Sequence, residues 1–323
     1  MTGSRLLAPV RAFDEFQQRH RGLAIPFAVV KKFGDDAAGD YAALIAYYGF
    51  FSLFPLLLVF VTVLGYVLAG HPGAQQAVLN SALKDIPLVG DQIKTHSLKG
   101  NGFGLAIGLA GTLLAGLGVT MATQKTFDRV YAIPYKERAN FLTSRVRGLG
   151  TLVVLGVLQI ISTALSGAVA GGLGGVGLLI GGIVLSLLLN VLLFAAVFRL
   201  LTSGEVGTSE LWPGILVAAV LWEVLQVVGG IYVGHVVKGA SSTYGTFATV
   251  IGLLTWLFLG ARVVVYCAEL NAVLARGLWP RSLLETRTDA DRETLEGLAK
   301  VEERAQGQEI SVEFHPPSGD DPP

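Results

Sequence analysis

The sequence predicts an all-α, polytopic membrane protein: six transmembrane helices with cytoplasmic N- and C-termini. Three observations carry this. Hydrophobic residues make up 52% of the chain and charged residues only 15%, where a soluble domain carries about 25% charge. Six long apolar runs recur, each near or above the ~20 residues that a helix needs to cross a ~30 Å hydrocarbon core. Lysine and arginine are shared very unequally between the two sets of connecting segments, and such a bias places the basic side in the cytoplasm.

The runs are Tyr41–Ala69, Phe103–Ala122, Leu149–Ala170, Gly177–Leu201, Leu211–Val237 and Thr246–Ala275. In lipid, a helix is the only open-ended structure that satisfies its own backbone polar groups. The runs define a membrane domain over 41–275, after an amphipathic cytoplasmic segment (1–40) and before a charged cytoplasmic tail (276–323). The first run is uncharged over 29 residues yet carries Ser52 and Pro55 near its centre. Pro55 removes one backbone hydrogen bond, which frees the Phe51 carbonyl and kinks the helix. Gly104, Gly108, Thr112 and Gly116 recur every four residues in the second run, and Gly167, Gly171 and Gly175 in the third run and its turn. Such rows let helix backbones approach closely in lipid. "GAVAGGLGGVGLLIGG" is read as a tight outer turn, since one helix over 149–201 would be far too long for a single span.

Six Lys and Arg precede the first run, six fill the loop after the second, Arg199 ends the fourth and six follow the last. The opposite side has only Lys84, Lys94, Lys99 and Lys238, so the count is 19 against 4, with Arg262 left inside the sixth run. Ahead of the first run, Phe13, Phe16, Phe27, Val30 and Phe33 fall at helical spacing among charges. They predict a surface helix in the headgroup region; a soluble cap packed on the cytoplasmic loops is the alternative. The first apolar run is about twice the length of a signal h-region, so no cleavable signal peptide is expected. In the tail, "DRETLEGLAKVEERAQ" predicts a short helix and "PPSGDDPP" a disordered end.

Signals for catalysis are missing. Cys267 is the single cysteine, and none of the five histidines has a partner at metal-ligand spacing. "GLGGVG" at 172–177 follows no strand, and neither a Walker sequence nor a GxSxG elbow occurs. No catalytic residue, metal or cofactor is expected, and the reading is not that of an enzyme. Zero net charge argues against a nucleic-acid partner, which calls for a basic face.

A polar layer runs through the middle of the spans: Ser52 and Pro55, Gly111 and Thr112, Gln159, Asn190, Glu223 and Arg262. Polar groups at this depth are costly and face a bundle interior or a wet cavity, and broken helices at the midplane are a feature of transporter sites. Ser52, Pro55, Gln159, Asn190, Glu223 and Arg262 are therefore candidate substrate-binding residues. Interhelical hydrogen bonding is the alternative for Gln159 and Asn190, and a simple bend for Pro55. Glu223 and Arg262 lie at similar depth on neighbouring spans and are expected to pair, with Glu269 competing for the guanidinium.

"AALIAYYGFFSLFPLLL" (42–58) and "SSTYGTFATVIGLLTWLFLGARVVVYCAELNAVLAR" (241–276) resemble signatures of the YihY/BrkB family of bacterial inner-membrane proteins. The likeness runs from about Phe27 to Arg281. It places Tyr47, Phe54, Tyr244, Gly245, Trp256, Glu269 and Asn271 in family motifs. It implies six spans in the inner membrane with cytoplasmic ends. Members of that family have carried a ribonuclease label or been linked to serum resistance or lipid transport; nothing in these residues supports a ribonuclease. The sequence thus points to a transporter or flippase of a lipid-like or amphipathic substrate, with membrane lipids as partners. A structural or regulatory membrane protein without a transport cycle is the alternative, and self-association is left open.

Overall fold

A computed structural model describes residues 8–67, 102–170, 176–204, 206–232, 246–283 and 288–315. Among them are nine α-helices and no strand: α1 Ala8–Arg19, α2 Arg21–Asp35, α3 Ala38–Val67, α4 Gly102–Val130, α5 Phe141–Ala170, α6 Val176–Leu201, α7 Thr208–Tyr232, α8 Thr246–Arg276 and α9 Asp289–Lys300. A 3₁₀ turn, Tyr135–Glu137, lies between α4 and α5. Six of these helices, α3 to α8, are long and apolar enough to cross a membrane. The six expected spans are all present, and the α5–α6 split falls at the glycine-rich stretch. Tyr244, Gly245, Gly171, Gly175 and the "PPSGDDPP" end lie outside the described residues.

The six long helices form a closed ring. Each packs on the next in chain order, and α8 closes against α3. Side-chain pairs give the antiparallel register. Glycines of α4 receive α3, with Gly111 against Pro55, Gly108 against Val59 and Gly118 against Tyr48. On its other side, α4 meets α5 at Gly116 and Leu152. A β-carbon at Gly111 would come within 2.9 Å of Pro55, so the α3–α4 seam exists because residue 111 has no side chain. The α3 helix continues through Pro55, which places the proline at a packing seam. At α7–α8, Gly229 lies flush with the Trp256 ring and Gly214 with the Cys267 carbonyl.

The described segments before α3 and after α8 gather at one end of the ring, the side of the chain termini, where Asp14 and Asp35 bond Ser282, Leu283 and Arg281. The expected single surface helix is two helices, broken at His20, whose backbone is extended. Ala24, Ala28, Val29 and Phe33 of α2 are buried. Ala28 and Val29 join Val273 and Leu278 in one apolar cluster, and Phe33 stacks on Tyr266 at 4.0 Å. α2 therefore runs antiparallel along the last third of α8, while Phe13, Phe16, Leu23 and Val30 remain exposed. The expected tail helix forms as α9, with a capping box in which Thr288 Oγ1 accepts from the Asp291 amide at 3.1 Å.

Candidate functional site

Glu223 on α7 accepts two hydrogen bonds from α6: Ser186 Oγ at 2.5 Å and Asn190 Nδ2 at 2.8 Å. Four residues separate the donors, one helical turn, so both point from the same face. Asn190 is buried. Both donors are neutral, and no cation pairs with Glu223 among the described residues. The arrangement is a carboxylate inside a membrane span, held in place and left without a counter-charge.

The expected Glu223–Arg262 pair is not formed. α7 and α8 are neighbours, but Trp222 fills the side of α7 toward Gly260 and meets Phe194 of α6 edge-on. Glu223, about 100° further round the helix, turns to α6. Arg262 on α8 turns the other way, towards the end where the chain termini lie. Its Nη2 donates to Tyr266 Oη at 3.1 Å, and its guanidinium lies 5.4 Å from the Phe33 ring centre and 5.6 Å from those of Phe258 and Tyr266.

Glu269 does not compete for Arg262, because it is committed elsewhere. It is wholly buried, with Oε2 3.0 Å from Lys32 Nζ. That distance suffices for charge pairing, though the approach is off the line of a hydrogen bond. The same ammonium bonds Asp36 Oδ2 at 2.5 Å and the Val130 carbonyl at 2.9 Å. Burial disfavours the Lys32 charge, and the carboxylates of Glu269 and Asp36 more than offset this, so its pKa rises. Two residues beyond Glu269, Asn271 Oδ1 accepts from the Gly214 amide at 2.6 Å and Nδ2 donates to Tyr131 Oη at 3.3 Å. A β-carbon on Gly214 would strike the Cys267 carbonyl and the Asn271 amide. Glu269 and Asn271, both expected family-motif positions, thus tie α8 to α2, α7 and the end of α4.

An outer layer of charges fastens the chain ends to this core. Arg281 bonds Asp291, Asp35 at 2.7 Å and Thr294 at 3.0 Å. Lys31 reaches Asp291 at 2.8 Å. Asp14 of α1 accepts from Ser282 Oγ at 3.0 Å and the Leu283 amide at 2.9 Å. Burial opposes the Asp291 charge, but hydrogen bonds from Lys31, Arg281 and Thr288 hold its pKa down to about 2.

The remaining expected site residues are scattered. Ser52 Oγ donates to the Gly49 carbonyl of its own helix at 2.7 Å, and Thr112 to Gly108 at 2.8 Å. Gln159 is exposed on α5. Pro55 sits at the α3–α4 seam. Tyr47 and Phe54 lie on the exposed face of α3, flanking Phe51 at 4.7 and 6.5 Å. The polar layer is therefore several separate features, of which Ser186–Asn190–Glu223 joins residues from two helices. In the sequence Lys32 reads only as one of the six basic residues before the first run. Its signal was a cation in register with the buried Ala24 and Ala28, four residues apart along one helix face.

Six apolar helices with polar groups buried between them define a multi-pass integral membrane protein. The family model described as virulence factor BrkB matches residues 29–290, and the chain belongs to that family. It is 25% identical over 290 residues to inner membrane protein YhjD of Escherichia coli K12, covering 82% of this chain and 85% of that one. It is 24% identical over 280 residues to a UPF0761 membrane protein of Pseudomonas aeruginosa LESB58, covering 83% and 67%. No solved structure matches it. The chain is thus an integral inner-membrane protein, as the resemblance implied.

Proposed function

We propose that this protein carries a lipid-like or amphipathic substrate across the inner membrane, with Glu223 as the group that engages the substrate or a coupling proton. The observation that carries this is the Glu223 carboxylate between Ser186 and Asn190. Fastening two helices needs no charge at that position, since a neutral glutamine could accept the same hydrogen bonds. A carboxylate can in addition take up a proton or a cationic headgroup. The protein acts as a carrier and not as a catalyst of covalent chemistry. Its termini face the cytoplasm, an orientation supported by the 19-to-4 distribution of Lys and Arg.

The structural or regulatory alternative draws on the Lys32–Asp36–Glu269 cluster, which fastens helices without any need for transport. Proteoliposomes separate the two readings. With the protein present, fluorescent-headgroup phospholipid should cross the bilayer faster than in empty vesicles; equal rates would favour the structural reading. In a Cys267→Ser background, impermeant thiol reagent added outside cells should label a cysteine at Lys94 and spare one at Arg138. The reverse pattern would invert the topology.

A further inference from the structure

Arg262 has no counter-charge among the described residues. Glu269 is taken by Lys32, Glu223 faces α6, and among the described residues Arg262 hydrogen-bonds one neutral phenol, Tyr266. A guanidinium does not give up its proton at this depth and presents five N–H donors. The rings of Phe33, Phe258 and Tyr266 can stabilise its charge through their faces, but they offer its N–H edge no acceptor beyond the Tyr266 hydroxyl. That edge calls for an anion.

Two features of the surroundings say which anion. First, α2 packs along α8 as far as Tyr266 and ends at the Gly34–Ala37 corner, beside which stand the charged Asp35 and exposed Asp40. Charged groups at the corner put it at headgroup level. Arg262 lies one turn beyond Tyr266, about 6 Å, and its side chain reaches back to that residue, as long basic side chains do to reach the interface. Second, Ile251, Leu254 and Phe258 lie on the same stripe of α8 as Arg262, and Ile251 and Leu254 are exposed. An apolar track therefore leads from the guanidinium towards the opposite end of the helix. A cationic head with an apolar track fits a phosphate that carries an acyl chain.

We propose that Arg262, with Tyr266, binds the phosphate of a membrane phospholipid from the leaflet on the side of the chain termini, the acyl chain lying along Ile251, Leu254 and Phe258. Of the carboxylates at the corner, Asp35 is held by Arg281 and Asp36 by Lys32, and Asp40 is exposed. The binding is independent of transport: loss of lipid retention reports on Arg262, and loss of lipid movement on Glu223.

Native mass spectrometry of the full chain with added phosphatidylglycerol, with diacylglycerol and with inorganic phosphate tests it. The wild type should retain phosphatidylglycerol and not diacylglycerol. Arg262→Gln should retain about tenfold less, the scale of one lost charge-assisted hydrogen bond, and Arg262→Lys an intermediate amount, because lysine keeps the charge without the planar fork. Undiminished retention by Arg262→Gln, equal retention of diacylglycerol, or binding of inorganic phosphate without binding of the lipid would each overturn the proposal. Photoreactive phosphatidylglycerol on the wild type needs no variant to fold. Cross-links within 251–266 are expected, and cross-links confined to other helices would contradict the site.

Discussion

The two ends of the helix ring are built on different principles. At the end where α2 packs on α8, the buried residues are those of a soluble protein: Phe127, Phe198, Leu211 and Val265 share one apolar cluster, and Lys32, Glu269 and Asn271 are buried as well. In the other half, Leu56, Val153, Ile160, Val184, Val227, Val228 and Ile251 are exposed, and the helices meet through glycines at Pro55, Val59 and Trp256. In lipid, apolar side chains gain little by leaving the solvent, so close backbone approach takes over from burial as the means of association. Where water reaches, buried charge pairs and capped helices fix the arrangement. On the proposed transport reading the comparison separates roles as well: the charged end holds the fold, and the apolar half is where helices would part around a substrate.

The largest effect that would break this comparison is at Lys32. Lys32→Met leaves Glu269 and Asp36 buried without their cation, a loss of about 3–5 kcal/mol. Thermal unfolding in detergent should show it, with part of the loss restored by adding Glu269→Gln. Equal stability of the single variant and the wild type would mean that the charged end is not the lock. Next come two glycines, one in each half. Gly214→Ala drives a β-carbon into the Cys267 carbonyl and should cost about 1–3 kcal/mol, whereas Gly156, with nothing near its β-position, should accept alanine without measurable loss.

A smaller effect concerns the outer clamp. The Asp291 pKa is lowered from 3.8 to about 2, so the charged carboxylate stabilises the fold. That contribution is fully present above pH 4 and lost as the pH falls through 2. It amounts to about 2 kcal/mol. Asp291→Asn should therefore lower stability at pH 7 and flatten the acid limb of the stability profile between pH 4 and 2; an unchanged profile would remove Asp291 from the clamp.

How much of this was legible in the sequence follows from what hydropathy can encode. Span number and polar depth are one-dimensional, and Asn190, Glu223 and Arg262 do lie within long apolar helices. Azimuth is another matter. A span that is apolar all round gives no stripe from which to read its facing direction, so Glu223 was assigned to α8 when Trp222 occupies that side. Lys32 was legible in principle, as a cation on the buried face of α2, but the same residue served equally well as one more positive charge in a cytoplasmic segment. Ser186 carried no signal of its own. It matters because it stands one turn before Asn190, on the helix that Glu223 meets.

The most direct measurement of the division between the two ends is lipid movement in proteoliposomes that carry Glu223→Gln, set beside its thermal stability. Ser186 and Asn190 both donate to the same Glu223 oxygen, Oε1, and glutamine keeps one acceptor oxygen, so the fold should hold within about 0.5 kcal/mol of the wild type. Movement of fluorescent phospholipid should fall at least about tenfold, the size of one charge-assisted contact. A Glu223→Gln protein that moves lipid as fast as the wild type would contradict the assignment of function to the apolar half.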